Sequence, residues 1–240
     1  MKNILIPTTL KDDTICAVKS AVNQSKDKTC EIILLMAAET PDSFSPSFYL
    51  REMKTGLTIS QEEVLETCRY IVEHTPNCKL KVHNQYGLSS PIFKRVIEHF
   101  SVKLIILTNS YKQETKRIYQ YLIQLAGNQK CPILHLGNEF IKEDFTKALY
   151  IANSNANMHV KDVQQFLNEN FSYEIVSQTS KIDDDYDTLA PYLHEAISKY
   201  EIDLLVETRK GEKIKFKKNK KESINKKLGL PVLSLYEEMA

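Results

Sequence analysis

The sequence predicts an α/β protein of two tandem open parallel-sheet α/β sandwich domains, residues 1–138 and a shorter 144–240. Three observations predict it. Short apolar runs without alternation, such as 4–6, 32–35 and 104–107, mark strands buried on both faces. Between them lie segments with apolar residues at helical spacing, the alternation that builds a parallel sheet with right-handed crossovers. Finally, residues 103–137 (KLIILTNSYKQETKRIYQYLIQLAGNQKCPILHLG) are echoed by 202–238 (IDLLVETRKGEKIKFKKNKKESINKKLGLPVLSLYEE), where Pro231-Val232-Leu233 answers Pro132-Ile133-Leu134.

The first unit opens with a buried strand at 3–7 and a helix capped by Asp12 or Asp13, with Ile15, Val18, Ala21 and Val22 on one face. A second strand spans 31–36. Residues 40–58 carry prolines, serines and Gly56 and are expected to make a surface excursion. Ser60 to Glu63 has the form of a capping box for a helix buried through Val64, Cys68, Ile71 and Val72. Residues 79–86 alternate as an edge strand does. Ser90-Pro91 starts a helix lined by Ile92, Phe93, Val96, Ile97 and Phe100, followed by strands at 104–107 and 133–136.

In the second unit, strands are expected at 147–152, 173–176, 202–206 and 231–236. Helices are expected on Val160, Val163, Phe166 and Leu167, on Leu189, Leu193, Ala196 and Ile197, and near Ile224 and Leu228. A unit this small buries little of its surface, so a substantial interface with the first unit is expected.

Composition excludes several classes. The 240 residues carry a net charge of +1, and no apolar run is long enough for a signal peptide or a membrane span. Cys16, Cys30, Cys68, Cys78 and Cys131 form no CxxC pair, which fits buried thiols in a reducing, cytoplasmic setting. His74, His83, His99, His135, His159 and His194 lack metal-ligand spacing, and no GxSxG elbow occurs. Asp183 to Asp185 lacks the glycine and closing glutamate of a calcium loop and is expected to cap a helix. The basic run from Arg209 to Lys227 contains one aromatic residue, Phe216. It is expected to be a solvated loop, and nucleic acid is not expected as a partner.

The opening NILIPTT, the strand EIILLM, the segment YGLSSPIFKRVIEHF, the run KLIILTNS and the closing CPILHLG together resemble the universal stress protein family in its tandem form. The resemblance implies the adenine nucleotide alpha hydrolase-like sandwich, a stress-response role, dimer-like pairing of the last strands and, in many members, ATP binding. Ligands of such sheets bind beyond the carboxyl ends of the strands, where strand order reverses. That crevice is expected to hold Pro7, Thr8, Thr9, Met36, Ala37, Thr108, Asn109 and Ser110.

Departures from the family pattern matter here. Thr9 stands where nucleotide-binding members carry an acid. The loop TNSYKQETKRIYQ has no glycine, and Tyr119-Gln120 occupies the place of the family's Gly-Ser pair. In the second unit, Lys218-Asn219 occupies it. Glycines there allow backbone amides to approach phosphates. The expectation is therefore a non-catalytic regulatory or interaction module with no catalytic residues, no metal and no cofactor. The alternative is an ATP-binding protein with magnesium, extending to slow ATPase activity, that uses side chains such as Ser110, Lys112 and Lys116. An unidentified protein partner is expected, with intramolecular pairing of the two last strands as a pseudo-dimer and a homodimer left open.

Overall fold

Nine strands form one sheet in the computed structural model, which describes residues 2–25, 28–40, 56–137, 145–153, 158–181, 186–211 and 229–237. The strands are β1 (Asn3–Pro7), β2 (Cys30–Ala38), β3 (Cys78–Tyr86), β4 (Val102–Leu107), β5 (Ile133–His135), β6 (Lys147–Asn153), β7 (Glu174–Lys181), β8 (Leu204–Arg209) and β9 (Val232–Tyr236). The helices are α1 (Asp13–Gln24), α2 (Ile59–Glu73), α3 (Ser90–His99), α4 (Asn109–Gln113), α5 (Arg117–Gly127), α6 (Val160–Asn170) and α7 (Tyr186–Tyr200). Their order across the sheet is β3-β2-β1-β4-β5-β9-β8-β6-β7. Every neighbouring pair is parallel except β5 and β9, which run antiparallel with Leu134 opposite Leu233. Among the described residues no helix is long and apolar enough to cross a membrane.

Both faces of the sheet are covered, which explains the unbroken apolar runs. Ile4, Ile6, Ile32 and Leu34 face α1 and α2, while Leu5, Ile33 and Leu35 face α3 and α5. The first of these cores continues past β5 through Tyr150, Val163, Leu167 and Leu233. On that face the two halves share a single apolar layer. On the other face, Leu149, Ile151, Leu193 and Leu205 form a separate cluster.

Several local expectations shift. The capping box of α2 belongs to Thr58 and Gln61, two residues earlier than the Ser60 box, because Thr58 is the last extended residue before the helix. Ser89, not Ser90, caps α3 and accepts from the Ile92 amide. Asp12 is the N-cap of α1 but makes no side-chain cap bond. β5 keeps three residues of the expected run, and β7 extends to Lys181. Most of the excursion at 40–58, the triplet Asp183 to Asp185, the side chain of Leu189 and the helix near Ile224 and Leu228 lie outside the described residues.

The two sheet edges are guarded differently. β3 presents the exposed lysines Lys79 and Lys81. β7 carries a register shift, and the side-chain amide of Gln164 pairs with it as a neighbouring peptide would. Ile175 N donates to Gln164 Oε1 at 2.7 Å and Gln164 Nε2 donates to Tyr173 O at 3.1 Å. Charges and irregular ends are the devices that keep open edges from pairing with other chains.

Arg209, counted above in the basic run, turns inward. Its Nε donates to Gly127 O at 3.1 Å, one Nη to Ser234 O, and the other to Gln129 O and Cys131 O at 2.9 and 2.6 Å. One guanidinium thus ties β8 and β9 to the turn that enters β5. Burial lowers its pKa to about 10, so it stays charged at neutral pH. Lys210 beside it pairs with Glu237 at 3.2 Å, and the rest of the run, 212–227, lies outside the described residues. Arg209→Met leaves four carbonyls without their donor and should cost about 2–4 kcal/mol of stability in urea unfolding. Arg209→Lys should recover less than half, because an ammonium lacks the fork; a loss below about 0.5 kcal/mol in the methionine variant would contradict the assignment.

Candidate functional site

β1 is flanked by β2 on one side and β4 on the other, so the strand order reverses at β1 and β4. Beyond their carboxyl ends lies a hollow of about 490 Å³. Its walls are Thr9 to Asp12 after β1, the N-terminal residues Thr58, Ser60 and Gln61 of α2, and Glu114, Lys116 and Tyr119 around the start of α5.

Of the residues expected in the crevice, Thr9 and Tyr119 line this hollow. Pro7 is the buried last residue of β1. The Thr8 hydroxyl is buried in bonds to Thr14 Oγ1 at 2.7 Å and from the Leu10 amide at 2.8 Å. Leu10 takes a φ of 57°, which turns the chain sharply out of the strand. Met36 and Ala37 pack against opposite faces of the sheet. Thr108 caps α4, its Oγ1 accepting from the Tyr111 amide at 3.3 Å, and Asn109 is the first residue of that helix. Gln120 lies outside the hollow lining and donates from Nε2 to Lys112 O at 3.3 Å and Glu114 O at 2.6 Å, closing the end of α4.

By its sequence, 108–120 reads as one loop. Instead the five-residue α4 fills the start of it and α5 begins at Arg117. The side chain of Tyr111 anchors α4 in the core, fully buried, with the Tyr119 ring 5.4 Å away. Burial pushes both phenols up, and the Glu114 and Glu39 carboxylates add to the shift at Tyr119.

The residues that sequence reasoning missed are Asp13, Lys11, Glu114 and Gln61. Asp13 Oδ2 accepts from the Ser110 amide at 2.8 Å, and Ser110 Oγ donates to Asp13 Oδ1 at 2.6 Å. The protein's own carboxylate thus holds the first turn of α4. Lys11 Nζ pairs with Glu114 Oε1 at 2.7 Å, and this bond holds the Glu114 carboxyl below the usual range. Thr9 Oγ1 also donates to Glu114 Oε1, at 3.3 Å, so a carboxylate reaches Thr9 from the far side of α4. Gln61 Nε2 donates to Thr9 O at 3.1 Å. These are contacts across 52 to 105 positions, and only the acid at the start of α1 leaves a trace in the sequence.

The arrangement offers little chemistry. Ser110 has a carboxylate partner and no described histidine in its bonding network. Burial pushes the Cys30 and Cys68 thiols up to about 12, leaving them protonated. Among the described residues no group of three or more His, Cys, Asp or Glu stands where it could hold a metal ion.

A solved universal stress protein from Archaeoglobus fulgidus is similar in structure, with a TM-score of 0.60 and 13% identity, covering 98% of this chain and 96% of that one. The fold is that of the universal stress proteins. A putative universal stress protein from Pseudomonas aeruginosa matches with a TM-score of 0.50 and 13% identity over 98% of this chain and 93% of its own. A functionally unknown protein from Pseudomonas aeruginosa matches at 0.53 and 11% identity over 99% and 93%. No family model matches the chain, and no curated protein does. In this universal stress protein fold the hollow occupies the position that the strand reversal marks for a ligand.

Close to the site, β5 carries His135. Loss of solvent, reinforced by the Lys112 and Arg209 cations, pushes its pKa down to about 3. Unfolded, the imidazole titrates at about 6.5, so the folded state favours the neutral ring. Stability from this group is complete above pH ~6.5 and falls as the pH drops from there towards 3. Between pH 7 and pH ~5 the wild type should lose about 1–2 kcal/mol more than His135→Gln. Chemical denaturation at the two pH values measures this, and equal losses would contradict it.

Proposed function

We propose that this protein is a tandem universal stress protein, with units at 1–138 and 144–240, that acts in a stress response as a non-catalytic regulatory or interaction module without bound ATP. One observation carries the reading: the carboxylate of Asp13 takes the amide and hydroxyl of Ser110 at the start of α4, just after β4. A second anion there meets a fixed negative charge. The sequence supports the same reading, since no glycine occurs between Gly87 and Gly127 to bring backbone amides close to a phosphate.

The alternative, ATP with magnesium held by side chains, draws on Lys11 and Lys116 at the rim of the hollow. Of the groups it needs, Ser110 is engaged by Asp13, and Lys112 Nζ donates to Leu136 O at 3.1 Å. The pseudo-dimer reading rests on the antiparallel pair β5–β9, which brings the last strand of each half together.

Isothermal titration calorimetry with ATP and ADP, each with magnesium, separates the two readings. The expected result is no binding tighter than about 1 mM, which corresponds to roughly −4 kcal/mol. A micromolar dissociation constant, about 4 kcal/mol tighter, would overturn the proposal.

A further inference from the structure

Where the ends of α1 and α6 meet the segments leading into β1, β2, β6 and β7, the two halves line a second hollow of about 170 Å³. By volume it has room for about five water molecules. Lys2, Lys28, Asn23, Asn168 and Phe171 are among its walls. The Lys2 ammonium is not free to wander. Its Nζ donates to Asn170 O, at the end of α6, at 2.7 Å, and more weakly to Gln24 O, at the end of α1, at 3.5 Å. The Phe171 ring centre lies 3.9 Å from Nζ and keeps water off that side. Phe171 itself stacks on Tyr173, with centroids 5.2 Å apart.

We propose that Lys2 is a nucleophilic amine, held at this hollow to form an imine with a small aldehyde or keto acid whose carboxylate is paired by Lys28. The geometry supplies the parts. An amine has two N–H groups when neutral, and two main-chain carbonyls stand ready to accept them. The lone pair on Nζ attacks the carbonyl carbon, the two amine protons leave with the carbonyl oxygen as water, and a C=N bond joins Lys2 to the ligand. No oxidant or reductant enters the step. The Lys28 cation meets the acid group.

A lysine that is desolvated and placed beside another cation is the recurrent setting of imine-forming lysines. Burial first, and Lys28 second, lower the Lys2 pKa to about 8, with Cys30 opposing. Glu169 of α6, also at the hollow, is the other charged group on its walls. Relative to a lysine at the ordinary value, that shift raises the neutral fraction near pH 7.5 by roughly two-hundredfold. Lys2 and its hollow are independent of the hollow beyond the carboxyl ends of β1 and β4.

The test is trapping on the full chain: glyoxylate with cyanoborohydride near neutral pH, followed by peptide mass spectrometry of each lysine. The expected result is an adduct at Lys2 forming at least about tenfold faster than at the exposed Lys161, with Lys2→Arg losing that adduct alone. Glyoxylate should exceed acetaldehyde at Lys2 by about tenfold, and Lys28→Ala should erase that difference, as loss of one ion pair to a bound carboxylate does. Adducts spread evenly over the lysines, or Lys2 no faster than Lys161, would overturn the proposal. So would equal labelling by acetaldehyde in the wild type. If Lys2→Arg fails to fold, the wild-type ranking still decides the matter.

Discussion

A strand of three residues joins the two halves of this sheet, and the rest of the structure depends on how it is held. Ile133 to His135 pair in parallel with β4 and antiparallel with β9. So short a ladder supplies few hydrogen bonds, and such segments are marginal without packing. The Arg209 fork collects the carbonyls of Gly127, Gln129 and Cys131 just before the strand, together with Ser234 O of β9. Just after it, Gly137 lies so near Gly229 that a Cβ would collide with the Gly229 carbonyl oxygen. Beneath both, a single apolar layer runs from β1 to β9 on one face. Cation, close backbone approach and shared core together make one sheet of what the sequence reads as two units.

Burial on both faces is also what made the fold legible in the sequence. β1, β2 and β4 are covered above and below, so their residues 4–6, 32–35 and 104–107 are apolar without interruption, and that signal survives in a single sequence. The half-exposed β3 announced itself by alternation. Less legible was whatever depends on tertiary partners. Thr58 rather than Ser60 caps α2, a choice made by where the extended chain ends. The loop at 108–120 contains two helices because Tyr111 anchors the first in the core and Gln120 closes it. Arg209 looked like one more charge in a basic run, since nothing in its neighbours tells which way its side chain turns.

Of the residues expected beyond the carboxyl ends of β1 and β4, Thr9 and Tyr119 border the open hollow. The hydroxyls expected beside them, on Thr8, Thr108 and Ser110, are consumed in bonds that hold β1, α1 and α4 together. The groups that border the open hollow, Lys11, Glu114 and Gln61, come from segments far apart in sequence. Carboxylates at the first turn of a helix are ordinarily stabilising, through its amides and dipole. Here the acid belongs to a different helix, and in the proposed reading it takes the donors that a phosphate would need.

The central claim is that Asp13 takes the Ser110 donors on which a phosphate after β4 would depend. A crystal structure grown with saturating magnesium and ATP tests it most directly. The account predicts the Asp13–Ser110 contacts unchanged and no nucleotide density beyond the carboxyl ends of β1 and β4. Phosphate density over Ser110 with Asp13 displaced would contradict it.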